Sequence, residues 1–77
     1  MPLITVKMYP GRSEEQKVKA AKAIMDAAVE TLGAPPSAFT IIMEEIEREE
    51  WSEKVAKPEI EPKSDLVYIR QGESVKS

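Results

Sequence analysis

Alternating apolar and polar residues open the chain and predict a β-strand over residues 2–9. Ile4, Val6 and Met8 share one face of that strand, and the residues between them form the other face. A second run, residues 38–46, is rich in β-branched and aromatic side chains and predicts another strand.

The segment between the two strands carries the start and stop signals of a single helix. Ser13 with Gln16 three residues later forms a capping box, so we expect a helix that starts at Ser13. Gly33 suits the C-terminal cap, and Pro35-Pro36 stops the helix. Apolar residues recur at helical spacing at Val18, Ala21, Ile24, Met25, Ala28 and Leu32.

Strand, helix and strand predict an α+β fold, a β-α-β unit with a parallel two-stranded sheet and one long helix. Such units have a right-handed crossover, and parallel sheets need both faces covered. One helix covers only one face, while Thr40, Ile42 and Ile46 leave apolar side chains on the other. We therefore expect oligomerisation to complete the fold.

Beyond the second strand the pattern weakens. Residues 52–56 suit a short helical turn or a loop, and Pro58 and Pro62 predict an extended stretch. Residues 66–69 form a strand-like run that ends at Gln71-Gly72, before a polar tail.

The length of 77 residues predicts one domain, residues 1–77. Its β-α-β core spans residues 2–51, and residues 52–77 form a C-terminal extension. A domain this small buries little apolar surface, and without cysteine it has no disulfides to compensate. Assembly into a homo-oligomer is the remaining source of burial.

Composition excludes several classes of function. The chain has no cysteine and no histidine, so thiol nucleophiles, zinc-finger spacings and Ser-His triads are absent. A net charge of −3 argues against a nucleic-acid partner, and no apolar run is long enough to span a membrane. We expect a cytoplasmic protein. The acidic run over residues 44–50 lacks partners for a closed coordination shell, so we expect no metal there.

Two residues suggest chemistry. If Met1 is removed, Pro2 becomes a secondary amine, a group that burial or a nearby cation makes a neutral base near physiological pH. Arg12 immediately precedes the predicted helix start, where backbone amides and its guanidinium fork favour an anion such as a carboxylate. A neutral amine and a cation need no cofactor to move a proton, so we expect none.

The order of these features resembles the 4-oxalocrotonate tautomerase family. The likeness covers residues 2–51: a Met-Pro start, a strand, Gly-Arg-Ser, one helix, Ala-Pro and a second strand with an aromatic residue after it. The resemblance implies assembly into dimers, and usually into hexamers as trimers of dimers. It also implies a tautomerase in which Pro2 is the general base for a small enol or 2-keto acid, Arg12 binds the substrate carboxylate, and Trp51 forms an apolar wall.

The sequence departs from that family in two places. Thr40 stands where well-known members have a second arginine, and Lys7, Arg48 and Arg70 are the alternative sources of that charge. The glycine-rich hairpin that often joins the family's subunits is replaced by the extension. The alternatives are therefore a related proline-dependent dehalogenase, hydratase or decarboxylase, or a non-catalytic oligomeric module that binds an anion.

Overall fold

The computed structural model describes residues 1–76, whose positions divide into a first unit, Met1–Ile46, and a second unit that begins at Glu47. The first unit contains the predicted β-α-β arrangement. Strand β1 spans Leu3–Met8, helix α1 spans Glu14–Leu32 and strand β2 spans Thr40–Glu45. The strands pair in parallel, so the predicted fold class is confirmed.

Backbone hydrogen bonds extend the pairing of β1 and β2 beyond both ends of the strands. The Thr40 N–H donates to the Pro2 carbonyl at 3.1 Å, and the Ile46 N–H donates to the Met8 carbonyl at 2.8 Å. The residue that follows Met1 is therefore held in the sheet through its carbonyl group.

Helix α1 begins and ends as its caps predict. The Gln16 N–H donates to Ser13 Oγ at 3.1 Å, and the Ser13 N–H donates to Gln16 Oε1 at 2.9 Å. This reciprocal pair satisfies two amides at the helix start, with Ser13 as the N-cap. At the other end Gly33 has a φ of 73°, and its N–H donates to the Val29 carbonyl. Both predicted helix boundaries are confirmed.

The two faces of the sheet differ in exposure. Because paired residues of parallel strands point to the same side, each face combines alternate residues of β1 and β2. One face is half-buried and consists of Ile4, Val6, Ile41 and Met43. The other, which we call the open face, is exposed and consists of Leu3, Thr5, Thr40 and Ile42. Helix α1 contacts β2, and Lys17 pairs with Glu45 at 3.5 Å, which places the helix over the half-buried face.

The half-buried stripe of α1 is narrower than its set of apolar residues. Val18 is 50% exposed and Leu32 is 65% exposed, although both belong to the apolar positions that recur at helical spacing. Lys17, next to Val18, is half-buried instead because its ammonium group lies between Glu14 and Glu45, at 3.6 and 3.5 Å. A helix that packs on only two strands contacts a narrow groove, and residues at the margin of the stripe stay in solvent.

Few side chains are buried within the single chain. Among residues 1–76, Ile46 at 7% and Val55 at 5% exposure are the buried apolar side chains. Ile46 therefore does not belong to the exposed surface on which the sequence placed it. Small domains with so little burial are marginally stable on their own.

The second unit is mostly helical, whereas the sequence predicted at most a short helical turn over residues 52–56. A 3₁₀ turn, Arg48–Glu50, precedes a π-helical segment, Ser52–Ile60, and a further 3₁₀ segment, Glu61–Leu66. Two short strands follow, β3 at Ile69–Arg70 and β4 at Glu73–Ser74, and they pair antiparallel.

The predicted extended stretch around the two prolines is wrong, and backbone geometry explains why. Pro58 lies inside the π-helical segment, where bonds run over five residues, as from the Glu61 N–H to the Ala56 carbonyl. This wider turn relieves the clash of a proline ring with the carbonyl four residues earlier. Pro62 lies in the first turn of its 3₁₀ segment, a position that needs no N–H donor.

The predicted strand over residues 66–69 and the polar tail are also revised. Leu66 ends the 3₁₀ segment, and only Ile69 of that run lies in β3. Gln71 and Gly72 have φ angles of 49° and 83°, as in the two-residue turn that matches the twist of a hairpin. The chain after Gly72 therefore forms β4 instead of leaving the fold.

We expect Ser13→Ala to lower the free energy of unfolding by about 1 kcal/mol, because the Gln16 amide loses its acceptor at the start of α1. Denaturant unfolding at a fixed protein concentration measures this loss. The matched control is Ser37→Ala, an exposed serine in the 3₁₀ turn Pro36–Ala38, which should change stability by less than about 0.5 kcal/mol. Equal effects of the two changes would show that the capping box is not a stabilising feature.

Candidate active site

Pro2 lies directly before β1 at the edge of the β-ladder. Pro2 is half-buried, and its carbonyl accepts a hydrogen bond from the Thr40 N–H. The nitrogen of Pro2 is in a peptide bond with Met1, which is 99% exposed. Removal of Met1 would leave the proline amine at a position already fixed by the sheet.

Thr40 begins β2 and lies beside the end of β1 that follows Pro2. It pairs with Leu3 in the parallel register and is exposed on the open face. The structure thus brings two predicted site residues, Pro2 and Thr40, together through the backbone. Thr40 carries a neutral hydroxyl, so it brings no positive charge to this edge.

Arg12 lies beyond the opposite end of β1. Gly11 has a φ of 130°, a value that favours glycine, and it turns the chain from the strand towards the Ser13 cap. Arg12 is exposed between these two residues. Its guanidinium therefore projects from the loop that leads into α1, next to the positive end of the helix dipole.

The length of β1 separates Pro2 from Arg12. Six residues at about 3.3 Å each make the strand about 17 Å long between its end residues, Leu3 and Met8. A small acid of a few carbon atoms cannot span that distance. Pro2 and Arg12 of one chain therefore lie beyond opposite ends of β1.

Trp51 belongs to the second unit, where it is half-buried and lines a concavity of about 430 Å³. The walls of this concavity come from the two ends of the π-helical segment and from the hairpin with the residues before it: Trp51, Ile60, Val67, Ile69, Arg70 and Gln71. Its volume is within the range of small-molecule sites. The predicted apolar wall residue thus lies next to an arginine that the sequence offered only as one of three alternatives.

The other two alternative cations occupy different places. Lys7 is half-buried in β1 and pairs in register with Glu44, and Arg48 is exposed in the 3₁₀ turn of the second unit. Neither residue lines the concavity of Trp51.

Acidic side chains of the run over residues 44–50 form ion pairs with lysines. Glu45 pairs with Lys17, and Glu50 pairs with Lys54 at 3.1 Å. Within residues 1–76 no group of three or more acidic side chains is placed to hold a metal ion. The helices of that same part of the chain are too short or too polar to cross a membrane.

Comparison with known proteins identifies the family. A family model described as "Tautomerase enzyme" matches residues 2–54, which is more than half of the chain and begins at Pro2. The chain belongs to the tautomerase family. The predicted resemblance is thereby confirmed.

Individual relatives of the tautomerase family support this assignment. A "Probable tautomerase" of Bacillus cereus is 40% identical over 52 residues, which are 68% of this chain and 85% of the relative. The "2-hydroxymuconate tautomerase" of Bacillus subtilis is 35% identical over 52 residues, 68% of this chain and 84% of the relative. A "Probable tautomerase" of Xylella fastidiosa is 31% identical over 72 residues, 94% of this chain and 88% of the relative. The last likeness extends into the segment after residue 54.

Sequence reasoning missed most of the walls around Trp51. The sequence predicts an extended stretch at Ile60, a strand at Val67 and the end of that strand at Gln71. The Gln71-Gly72 pair is the available signal for the observed structure, because a two-residue turn between short runs also predicts a hairpin.

Proposed function

We propose that this protein is a cofactor-independent tautomerase that moves a proton within a small enol or 2-keto carboxylic acid, with Pro2 as the general base. The observation that carries the proposal is the family match, which begins at Pro2 and continues through both strands. A relative named 2-hydroxymuconate tautomerase supports an enol carboxylate as the class of substrate.

The proposed reaction needs one amine. After removal of Met1, the Pro2 nitrogen accepts the proton of the enol hydroxyl, and the electrons of that O–H bond stay on the oxygen of the resulting enolate. As an electron pair of that oxygen forms the ketone C=O, the electron pair of the substrate C=C bond takes the proton from the pyrrolidinium, so a new C–H bond forms and the amine is restored. No atom or electron enters or leaves, which agrees with a reaction without a cofactor.

Arg12 is the proposed carboxylate ligand, and the geometry of β1 determines how it takes part. Because about 17 Å of strand separates the two residues, Pro2 of one protomer must meet Arg12 of another. The proposed site is thus formed between chains. A guanidinium near the amine also favours its neutral form.

The open face is the proposed assembly surface. Leu3 is 64% exposed and Ile42 is 43% exposed, so two large apolar side chains lie side by side in solvent on this face of the single chain. Covering them with a second protomer provides the burial that the chain lacks. We propose a homo-oligomer, either a dimer or a hexamer built as a trimer of dimers.

Thr40 favours a second candidate function. A neutral residue beside Pro2 leaves the substrate's carbonyl without a cation from β2, so the substrate differs from that of relatives with an arginine there. Dehalogenation, hydration or decarboxylation of a small acid by the same proline is the alternative chemistry.

Removal of Met1 should create the activity. We expect a sample that retains Met1, verified by intact mass, to show at least about 100-fold lower kcat/KM for ketonisation of phenylenolpyruvate than the same sample after treatment with methionine aminopeptidase. The activity of the processed form should fall with decreasing pH, because a protonated amine accepts no proton. Equal activity before and after treatment would eliminate Pro2 as the base.

Arg12→Ala should raise KM about 10- to 100-fold with a smaller change in kcat, because the carboxylate is bound in both ground and transition states. Arg12→Lys should restore little of the lost substrate binding, since an ammonium lacks the planar fork of a guanidinium. Steady-state kinetics measure both, with Lys22→Ala as the matched loss of an exposed cation on α1. Arg12 has no role in binding if both Arg12 variants behave like the Lys22 control.

Ile42→Glu should shift the oligomer towards smaller species, because it places a charge in the centre of the open face. Val18→Glu is the control, since Val18 is also exposed, at 50% against 43% for Ile42, but lies on α1. Sedimentation at micromolar concentration should show no monomer for the unmodified chain and for Val18→Glu. A stable, monodisperse monomer of the unmodified chain would refute the proposed assembly.

A further inference from the structure

The concavity of the second unit has one cationic group among apolar walls. Four lining side chains are apolar, Trp51, Ile60, Val67 and Ile69, and Gln71 adds a neutral amide. Arg70 is the one charged residue that lines it. An apolar pocket with a single guanidinium favours a ligand that combines an apolar body with one carboxylate.

The hairpin holds Arg70 in place. Arg70 ends β3, directly before the two-residue turn, and pairs with Glu73 in register. The hairpin pairing continues beyond the strands, because the Val75 N–H donates to the Tyr68 carbonyl at 2.8 Å. A guanidinium on this short, hydrogen-bonded element loses less conformational freedom on binding than one on a loose tail.

Lys76, at the end of the described chain, makes two contacts with earlier residues of the second unit. Lys76 Nζ donates to the Asp65 carbonyl at 2.6 Å and lies 5.0 Å from the centre of the Tyr68 ring. The first contact joins the segment after β4 to the 3₁₀ segment Glu61–Leu66, and the second joins it to the residue directly before β3. The wall that carries Arg70 is therefore supported from both sides.

Arg70 is available to an external anion. None of the ion pairs found among residues 1–76 involves Arg70, although Glu73 is its neighbour across the hairpin. Lysines of the π-helical segment and its flank are paired instead with their own helical neighbours, Lys54 with Glu50 and Lys57 with Glu53. Arg70 thus differs from these cations in having no internal counter-ion within the described residues.

We propose that this concavity binds a small monocarboxylate with an aromatic or alkenyl body, which packs on Trp51 while Arg70 binds the carboxylate. The ligand belongs to the class of acids proposed as substrate. The inference rests on the proposed function only for the role of that ligand as a substrate, because binding itself needs no proton transfer. It also gives the second unit a role in selecting acids by their apolar part.

Trp51 reports binding directly, because it is the single tryptophan of the chain. The probe is 3-phenylpropionate, titrated against tryptophan fluorescence of the full chain. Two matched compounds accompany it: 3-phenylpropanamide, which lacks the charge, and acetate, which lacks the apolar body. We expect a saturable change with 3-phenylpropionate, and at least about tenfold weaker binding of each matched compound.

Variants locate the binding. Arg70→Gln should weaken 3-phenylpropionate about tenfold or more and leave the amide unchanged, whereas Lys63→Gln, the loss of an exposed cation of the same unit that does not line the concavity, should have no effect. Glu73→Gln should strengthen binding, because it removes the carboxylate that faces Arg70 across the hairpin. Circular dichroism of each variant checks its fold, and the comparison of acid with amide needs no variant.

Three results would overturn the proposal: no saturable response to 3-phenylpropionate, equal affinity for the acid and the amide, or equal losses in Arg70→Gln and Lys63→Gln. Pro2→Ala separates this inference from the proposed function. Normal binding by Pro2→Ala together with absence of turnover in every form would remove the tautomerase proposal and leave the pocket. Proline-dependent turnover without saturable binding would remove the pocket and leave the tautomerase proposal.

Discussion

The parallel pairing of β1 with β2 is the constraint on which the rest of the first unit depends. It runs from the hydrogen bond between Thr40 and Pro2 to the one between Ile46 and Met8, and parallel strands require the chain to return through a crossover, here α1. Two consequences follow directly. Pro2 is held at one edge of the sheet while Arg12 is delivered beyond the other, and a single helix leaves the open face in solvent. The proposed site, which joins the two residues, and the proposed cover of the open face would both be supplied by a second protomer.

The first unit was predictable because its determinants are local. The reciprocal bonds of Ser13 with Gln16, and a glycine at Gly33 where φ is positive, depend only on residues a few positions apart, so they can be read from the sequence. The exposure of Val18 could not be read in this way. Periodicity gives the direction of an apolar stripe, whereas its width depends on how many strands the helix covers, and two strands cover little.

The second unit was predicted poorly because proline can either stop a helix or lie within a helical segment. Only the hydrogen bonds of the surrounding backbone decide which of the two occurs. Pro58 was expected to keep the chain extended, but hydrogen bonds over five residues accommodate its ring within a helical segment. That change of path, with the turn at Gln71, brings Arg70 to the same concavity as Trp51. Of the residues that line this concavity, the sequence singled out only Trp51 and Arg70, and their grouping depends on the path of the chain, which no single residue reveals.

The placement of positive charge bears on which acids the proposed site accepts. In the proposed reaction an enolate-like transition state places negative charge on the substrate oxygen near the proline, and a cation at position 40 would stabilise that charge from the sheet itself. Here Thr40 is neutral, Arg12 lies at the other end of β1 and Arg70 lies on the hairpin of the second unit. In the proposed assembly, Arg12 of a second protomer is therefore the group that brings a guanidinium towards Pro2. Because Thr40 offers no cation in the sheet, the proposed reaction depends on this contact between chains to bind and orient the substrate.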